Sequence, residues 1–328
     1  MLSVICPIYN EEKYIAGCID SIIAQDYPKD DIEVIFADGM SSDQTRKIVA
    51  QYAERYNWIR LVDNPRKIVP PALNAAVKAS RGDVIIRIDA HASYPSNYFS
   101  ALASALKHYD ADNVGAVCRT DVLVKTPKSL AIKEVLAHPL GVGNSAFRTG
   151  IDSAGEVDTV PFGCWKRDVF EKYGYFDERL VRNQDIEFNK RIKRGGGRIV
   201  IIPETHSTYY ARETFAKLAK NNFGNGKWNI LTVKYTRQFD SLSPRHFIPL
   251  AFVLSLIIPL IAGIFWTPAL WLSAASLAAY LVAVSAISAK IAIRCHLNFF
   301  YLVSSFAVLH LSYGLGSLCG LAKVILNQ

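Results

Sequence analysis

Between His246 and Ala289 the chain carries no Asp, Glu, Lys or Arg, and after Lys290 and Arg294 charge is absent again from Cys295 to Ala322. Soluble domains seldom tolerate such runs. About 20 helical residues cover about 30 Å, the hydrocarbon thickness of a bilayer, and Phe247–Trp266 is predominantly apolar. The pattern predicts three transmembrane helices, at 247–266, 269–288 and 299–322. Thr267-Pro268 would be a tight turn, with Pro268 suited to a helix start. A buried core hairpin is the alternative. Lys290 and Arg294 are expected in the loop between the second and third helices, which the positive-inside rule makes cytoplasmic. Helix one then runs outward, and the N-terminal region is expected on the cytoplasmic side of the cell (inner) membrane in a multi-pass protein. Lys227, Lys234, Arg237 and Arg245, ahead of helix one, agree.

The chain has 328 residues, 51% of them hydrophobic, with a net charge of +8. The basic balance could suggest nucleic acid. With membrane helices present, anionic headgroups or phosphorylated substrates explain it more simply, and nucleic acid is not expected as a partner. The chain opens directly on a strand, Leu2–Cys6, so no cleavable signal peptide is expected. Its six cysteines are scattered without a CxxC pair, which predicts free thiols and no zinc site.

Strand and helix patterns alternate through the first half. Strands are expected at Leu2–Cys6, Ile32–Ala37, Ile59–Val62, Val84–Ile88 and Val114–Cys118. Helices are expected near Glu12–Gln25, Asp43–Tyr56, Pro71–Ala79, Ser96–His108 and Ile186–Arg194. This predicts a parallel-dominated α/β sheet flanked by helices. From about Thr120 to Val160 the pattern loosens, and His138–Asn144 reads as a long loop whose glycines could cradle a phosphate or simply turn. Gly195-Gly196-Gly197 reads as a helix C-cap. Thr214–Phe239 interleaves lysines with Phe215, Leu218, Phe223 and Trp228, as in helices lying in the membrane interface. Three regions follow: 1–212 as the cytoplasmic domain, 213–245 as interfacial amphipathic helices and 246–328 as the transmembrane domain.

Ligands of open α/β folds bind at the carboxyl edge of the sheet. Three expected strand ends there carry acids: Pro7-Ile8-Tyr9-Asn10-Glu11, Asp38-Gly39 and Asp89-Ala90-His91. Gathered acids would repel a diphosphate unless a cation intervened. Mg²⁺ or Mn²⁺ is the usual intermediary, and an imidazole shifts the preference toward Mn²⁺. Asp89 could instead cap the next helix, and Asp38 could accept a hydrogen bond from a base or ribose. No G-x-G-x-x-G follows strand one and no G-x-x-x-x-G-K-[ST] occurs, which argues against dinucleotide oxidoreductases and P-loop ATPases.

These segments resemble family-2 glycosyltransferases of the GT-A fold. Pro7–Glu11 resembles their opening strand, and Ala37–Thr45 their D-D-G-S-T-D-G-T segment. Asp89-Ala90-His91 stands at the DxD position, and Asn183-Gln184-Asp185 at the E-D pair. The succinoglycan-type exopolysaccharide subgroup is closer still, through the D-A-H triplet, Val157–Gly163, Phe176-Asp177-Glu178, Arg182–Asp185 and a trio of C-terminal membrane helices. Gly39, His91 and Gln184 each stand where the family has an acid. The Q-x-x-R-W motif of processive synthases is reduced to Gly224–Trp228, which argues against processive synthesis.

The resemblance implies a metal-dependent inverting hexosyltransferase. Asp185 would be the catalytic base, or alternatively only the cap of its helix. Pro7, Tyr9, Glu11, Asp38 and Asp89 would bind the nucleotide, and Asp89 with His91 the metal; Arg66 or Lys67, in a Pro-rich loop, could reach the base or phosphates, with surface solvation the competing reading. Phe162, Trp165, Gln184 and Trp228 would face sugar or acceptor, although core packing is the competing reading for Phe162 and Trp165. The donor implied is a nucleotide sugar of the UDP-hexose type. The acceptor would be a polyprenyl-diphosphate-linked saccharide at the membrane lipid surface. Transfer to polyprenyl phosphate, and a catalytically silent partner of a polysaccharide assembly complex, are the alternatives. His310 and Tyr313, inside the third helix, read as a satisfied interhelical hydrogen bond or as a contact to a lipid-linked acceptor.

Overall fold

The structure is a computed structural model and describes residues 1–143 and 145–326, with all of their side chains except that of Ser241. Asn144, the expected end of the 138–144 loop, and residues 327–328 of the expected transmembrane region lie outside the described residues. Among the described residues the strands are β1 Leu2–Ile8, β2 Ile32–Asp38, β3 Ile59–Asp63, β4 Val84–Arg87, β5 Ala92–Ser93, β6 Asn113–Asp121, β7 Gly155–Glu156, β8 Cys164–Lys166 and β9 Ile199–Tyr210. The helices are α1 Ile15–Ile23, α2 Thr45–Arg55, α3 Val69–Ala79, α4 Tyr98–His108, α5 Pro127–Ala137, α6 Pro139–Val142, α7 Ala146–Thr149, α8 Asp168–Tyr173, α9 Gln184–Arg194, α10 Phe215–Thr236, α11 Ile248–Ala262, α12 Ala269–Cys295 and α13 Phe299–Leu326. By contact, the chain divides into one unit of residues 1–119 and 146–210 and a second of residues 120–145 and 211–328. Segment 120–145, grouped with the N-terminal domain on sequence, therefore belongs with the C-terminal helices.

In the first unit the sheet runs β3-β2-β1-β4-β8-β6-β9-β5, with β7 on β9. β1 pairs in parallel with β2 and β4, and β2 with β3. β8 pairs antiparallel with β4 and β6, and β9 antiparallel with β5 and β7. The sheet is thus mixed. β1 and β2 read as unbroken apolar runs because both of their faces are covered. Val4, Cys6, Val34 and Phe36 pack with α1, α2 and α4, while Ile5, Ile35 and Ala37 pack with α3, α8 and α9 on the other side. Parallel register sets Ile8 beside Asp38 and Ile5 beside Arg87, so the acidic ends of β1, β2 and β4 emerge at one edge.

The second unit holds three helices long and apolar enough to cross a membrane, spanning Pro244–Ala262, Ala269–Cys295 and Phe299–Leu326. Lys290 and Arg294, expected in a loop, lie instead inside a helix. Helix α12 continues through them and ends at His296 in the left-handed region, leaving a short connection to α13. Uncharged residues Ile291–Ile293 let the helix continue between the two cations, and a charge-free criterion stops too early. α10 is one continuous helix lying close along α13. A Cβ at Gly226 would stand 1.9 Å from the Tyr313 carbonyl oxygen, and one at Gly316 2.0 Å from that of Phe223. Asn229 Nδ2 donates to Tyr313 Oη at 2.6 Å across the same contact. His310 Nε2 lies 2.8 Å from the Leu140 carbonyl, and its Nδ1 lies 3.0 Å from Tyr280 Oη. Both polar side chains are satisfied inside the helical unit, the structural of their two readings.

Helix α5, which sequence patterning left in a loosened region, begins at a capping box. Thr126 Oγ1 accepts from Ser129 N at 3.1 Å, and the Thr126 backbone N–H donates to Ser129 Oγ at 2.8 Å. Thr126→Ala should cost about 1 kcal/mol of stability, read as a lowered unfolding midpoint in detergent, with activity per folded molecule unchanged.

Candidate active site

Each parallel strand delivers its acid differently. After β1 the chain turns through Asn10, whose φ of 55° lies in the left-handed region. Asn10 N donates to Ser41 Oγ at 2.9 Å, and Asn10 Oδ1 accepts from Ser42 N at 2.9 Å. Glu11 N donates to Thr45 Oγ1 at 2.7 Å. The loops after β1 and β2 are laced together before any ligand arrives. Tyr9 is exposed beside Gly39, where an added Cβ would lie 3.1 Å from the Tyr9 ring. Pro7 is half-buried in β1.

Asp38 ends β2 with no exposed surface. Its carboxylate accepts from Ser41 N at 3.1 Å and from Arg46 Nη1 at 2.6 Å, and the same guanidinium nitrogen lies 2.8 Å from Asp63 Oδ1. Both Asp38 oxygens are thus engaged by Ser41 and Arg46, which form a wall beside the strand end where the base or ribose contact is expected. Arg66, expected to reach the nucleotide, pairs with Glu178, whose other oxygen accepts from Asn74 Nδ2 at 2.9 Å.

Beyond β4 the geometry tightens around one buried cation. Arg87 Nη2 donates to Asp89 Oδ1 at 3.1 Å, and Arg87 Nη1 lies 3.4 Å from Asp185 Oδ2. Asp89 does not cap α4, since Asn97 holds that place. Its backbone N–H donates to Tyr94 Oη at 2.8 Å. Asp185 is likewise no cap. Asn183 stands at the cap in the left-handed region, and Asp185 sits in the first turn of α9. There the helix dipole favours a negative charge, and 27% of its side chain is exposed. Gln184 beside it is buried, and its Oε1 has no hydrogen-bond partner among the described residues. Gly195 caps the far end of α9, as expected of the triple glycine.

The aromatic wall is not where sequence placed it. Trp165 is 1% exposed and packs against Phe170, Phe176 and Phe188. β8 points its indole into the core between the sheet and α8–α9, so it cannot stack on a sugar. Phe162 is buried too, under the Arg87 guanidinium at 5.9 Å. Trp228 belongs to α10 of the second unit, where its ring stacks on Tyr235.

His91 Nδ1 lies 3.3 Å from Glu11 Oε1, and its ring meets Tyr209 edge-on. Among the described residues no three His, Cys, Asp or Glu side chains are grouped to hold a metal by themselves. Asp89, His91 and Glu11 are nonetheless the donor types that suit a small divalent cation completed by substrate phosphates. In donor type, though not as a complete ligand set, these residues fit such an ion. Burial pushes the Cys6 and Cys164 thiols up, which makes neither a nucleophile at neutral pH.

The family model for Glycosyl transferase family 2 matches residues 3–174. The chain belongs to that family. Among relatives, a dolichyl N-acetyl-α-D-glucosaminyl phosphate 3-β-D-2,3-diacetamido-2,3-dideoxy-β-D-glucuronosyltransferase of Methanococcus voltae is 28% identical over 69% of this chain and 71% of its own. Succinoglycan biosynthesis protein ExoA of Rhizobium meliloti is 30% identical over 76% of this chain and 74% of its own. The mannosyltransferase PcManGT of Pyrobaculum calidifontis, solved with GDP-Man and Mn²⁺, aligns with a TM-score of 0.56 at 23% identity, over 97% of this chain and 86% of that one. The fold of this glycosyltransferase is accordingly a GT-A-like mixed sheet flanked by helices. Sequence reasoning missed Arg87, Arg46 and Ser41. Arg87 had a legible signal, a lone charge inside the apolar run Val84–Ile88.

Proposed function

We propose that this glycosyltransferase moves a hexose from a UDP-sugar to a polyprenyl-diphosphate-linked saccharide during exopolysaccharide synthesis, by a single inverting displacement. The observation that carries the reading is the meeting of Asp89, at a strand end, with Asp185, in the first turn of α9, on either side of Arg87. In this reading a carboxylate on the leaving-group side and a base on the acceptor side come from different parts of the chain. Asp185 takes the proton from an acceptor hydroxyl as that oxygen attacks the anomeric carbon and the bond from that carbon to the diphosphate breaks. Asp89 and His91 would hold a Mn²⁺ or Mg²⁺ ion, which when bound neutralises charge on the departing diphosphate. Glu11 orients His91, and the Ser41–Arg46 wall flanks the nucleoside side.

A lipid-linked acceptor is favoured by the three apolar helices and by the lipid-phosphate-linked sugar in the name of the Methanococcus voltae relative. The succinoglycan relative favours an exopolysaccharide product. With the helices in the inner membrane and the first unit in the cytoplasm, donor and acceptor head group would share one compartment.

UDP release from detergent-solubilised protein tests the reading, with each UDP-sugar offered with Mn²⁺ or with EDTA and with a membrane lipid extract. The expected result is release from one donor that needs both lipid and metal. Tight UDP binding without turnover on any donor would replace the reaction with a silent binding role. Turnover on polyprenyl phosphate but not on a short lipid-linked glycan would move the acceptor one step earlier.

A further inference from the structure

Arg87 is a charged side chain only 5% exposed, set in an otherwise apolar strand and buried on the Phe162 ring. Burying a guanidinium is costly unless it is paired. Its partners are two carboxylates from separate elements, Asp89 at 3.1 Å and Asp185 at 3.4 Å. Among the described residues its Nε and Nη1 make no hydrogen bond, so the contact to Asp185 is one of charge and has room to shorten. Arg87 N donates to the Gly163 carbonyl at 3.0 Å, which holds the backbone that aims the side chain.

We infer that Arg87 is a positioning residue that couples donor binding to the base: it is the shared counter-ion whose hold passes from Asp89 to Asp185 when the donor is loaded. The inference rests on the reading proposed above. Once Asp89 gives its oxygens to the cation that would accompany a donor's diphosphate, it becomes a weaker partner for Arg87. In a buried site, where charge interactions are strong, the guanidinium then draws closer to Asp185 and fixes the carboxylate for attack. Only arginine can do this. Its planar fork presents separate nitrogens to two carboxylates, whereas a lysine ammonium is one point of charge.

The test uses the full chain in detergent, with Arg87→Lys and Arg87→Met. Arg87→Lys should still fold, with a lowered unfolding midpoint, and should bind UDP with Mn²⁺ within a few-fold of the wild type, yet lose about 10- to 100-fold in kcat because the base is misplaced. A lysine variant at wild-type kcat overturns the inference. So does a kcat loss matched by an equal loss of UDP affinity, which marks a merely structural ion pair. The shared contact is also read without turnover. Double-mutant cycles of Arg87→Met with Asp89→Asn and with Asp185→Asn, followed by thermal unfolding, should both be non-additive. An additive cycle with Asp185 overturns the inference even if the wild-type protein proves inactive on every donor, a result that would count separately against the proposed reaction.

Discussion

Replacing Asp185 by asparagine should lower transfer by about 10²- to 10⁴-fold, the usual contribution of a general base, while UDP binding stays intact. The side chain keeps its size and its place in the first turn of α9, so the variant should fold, with an unfolding midpoint lowered by the lost charge beside Arg87 Nη1. What disappears is the second anionic oxygen that accepts the acceptor's proton. The comparison to make is kcat against UDP affinity on one preparation. A variant that transfers at the wild-type rate removes Asp185 from the chemistry. A variant that loses nucleotide affinity in proportion places it in the donor site instead.

The second large effect lies far from any chemistry in kind. Gly316→Ala and Gly226→Ala should each destabilise the protein by about 3 kcal/mol, at the upper end of what overpacking costs. At both positions the added carbon would meet a backbone carbonyl of the facing helix, at 2.0 Å and 1.9 Å. A backbone cannot rotate away as a side chain would, so α10 and α13 must separate and lose the Asn229–Tyr313 hydrogen bond as well. Gly17→Ala is the internal control. Nothing stands within 4 Å of a Cβ there, and in the first turn of α1 alanine should add up to about 1 kcal/mol of stability. Unfolding midpoints in one detergent decide the matter. Equal midpoints for Gly316→Ala and the wild type would mean that the two helices do not pack this closely.

Much of the frame was legible because it is written in short-range patterns. The runs Leu2–Cys6, Ile32–Ala37 and Val84–Ile88 become β1, β2 and β4, and each acid or imidazole named at their ends lies at one edge of the sheet. The antiparallel half was not legible. β8 is three residues long, and β9 carries Pro203, Glu204 and His206 within it, so neither shows a strand's alternation. Their pairing is decided by partners far away in sequence. Helix α5 was hidden for a related reason, since its apolar residues do not keep to one face and its start is signalled only by the Thr126–Ser129 box.

The candidate site divides along the same line. Residue type and strand-end position pointed to Glu11, Asp89 and His91 as candidates, because chemistry restricts which side chains can hold a cation, and Asp185 became a candidate only through the family resemblance. Sequence also determined the three long apolar helices, since absence of charge over such lengths admits few other solutions. Only the tertiary structure decided who faces whom. It turned Trp165 into the core, closed Asp38 behind Arg46 and set Arg87 between two carboxylates 96 residues apart. Those outcomes depend on burial and on charge pairing between distant segments, quantities that no local pattern of residues contains.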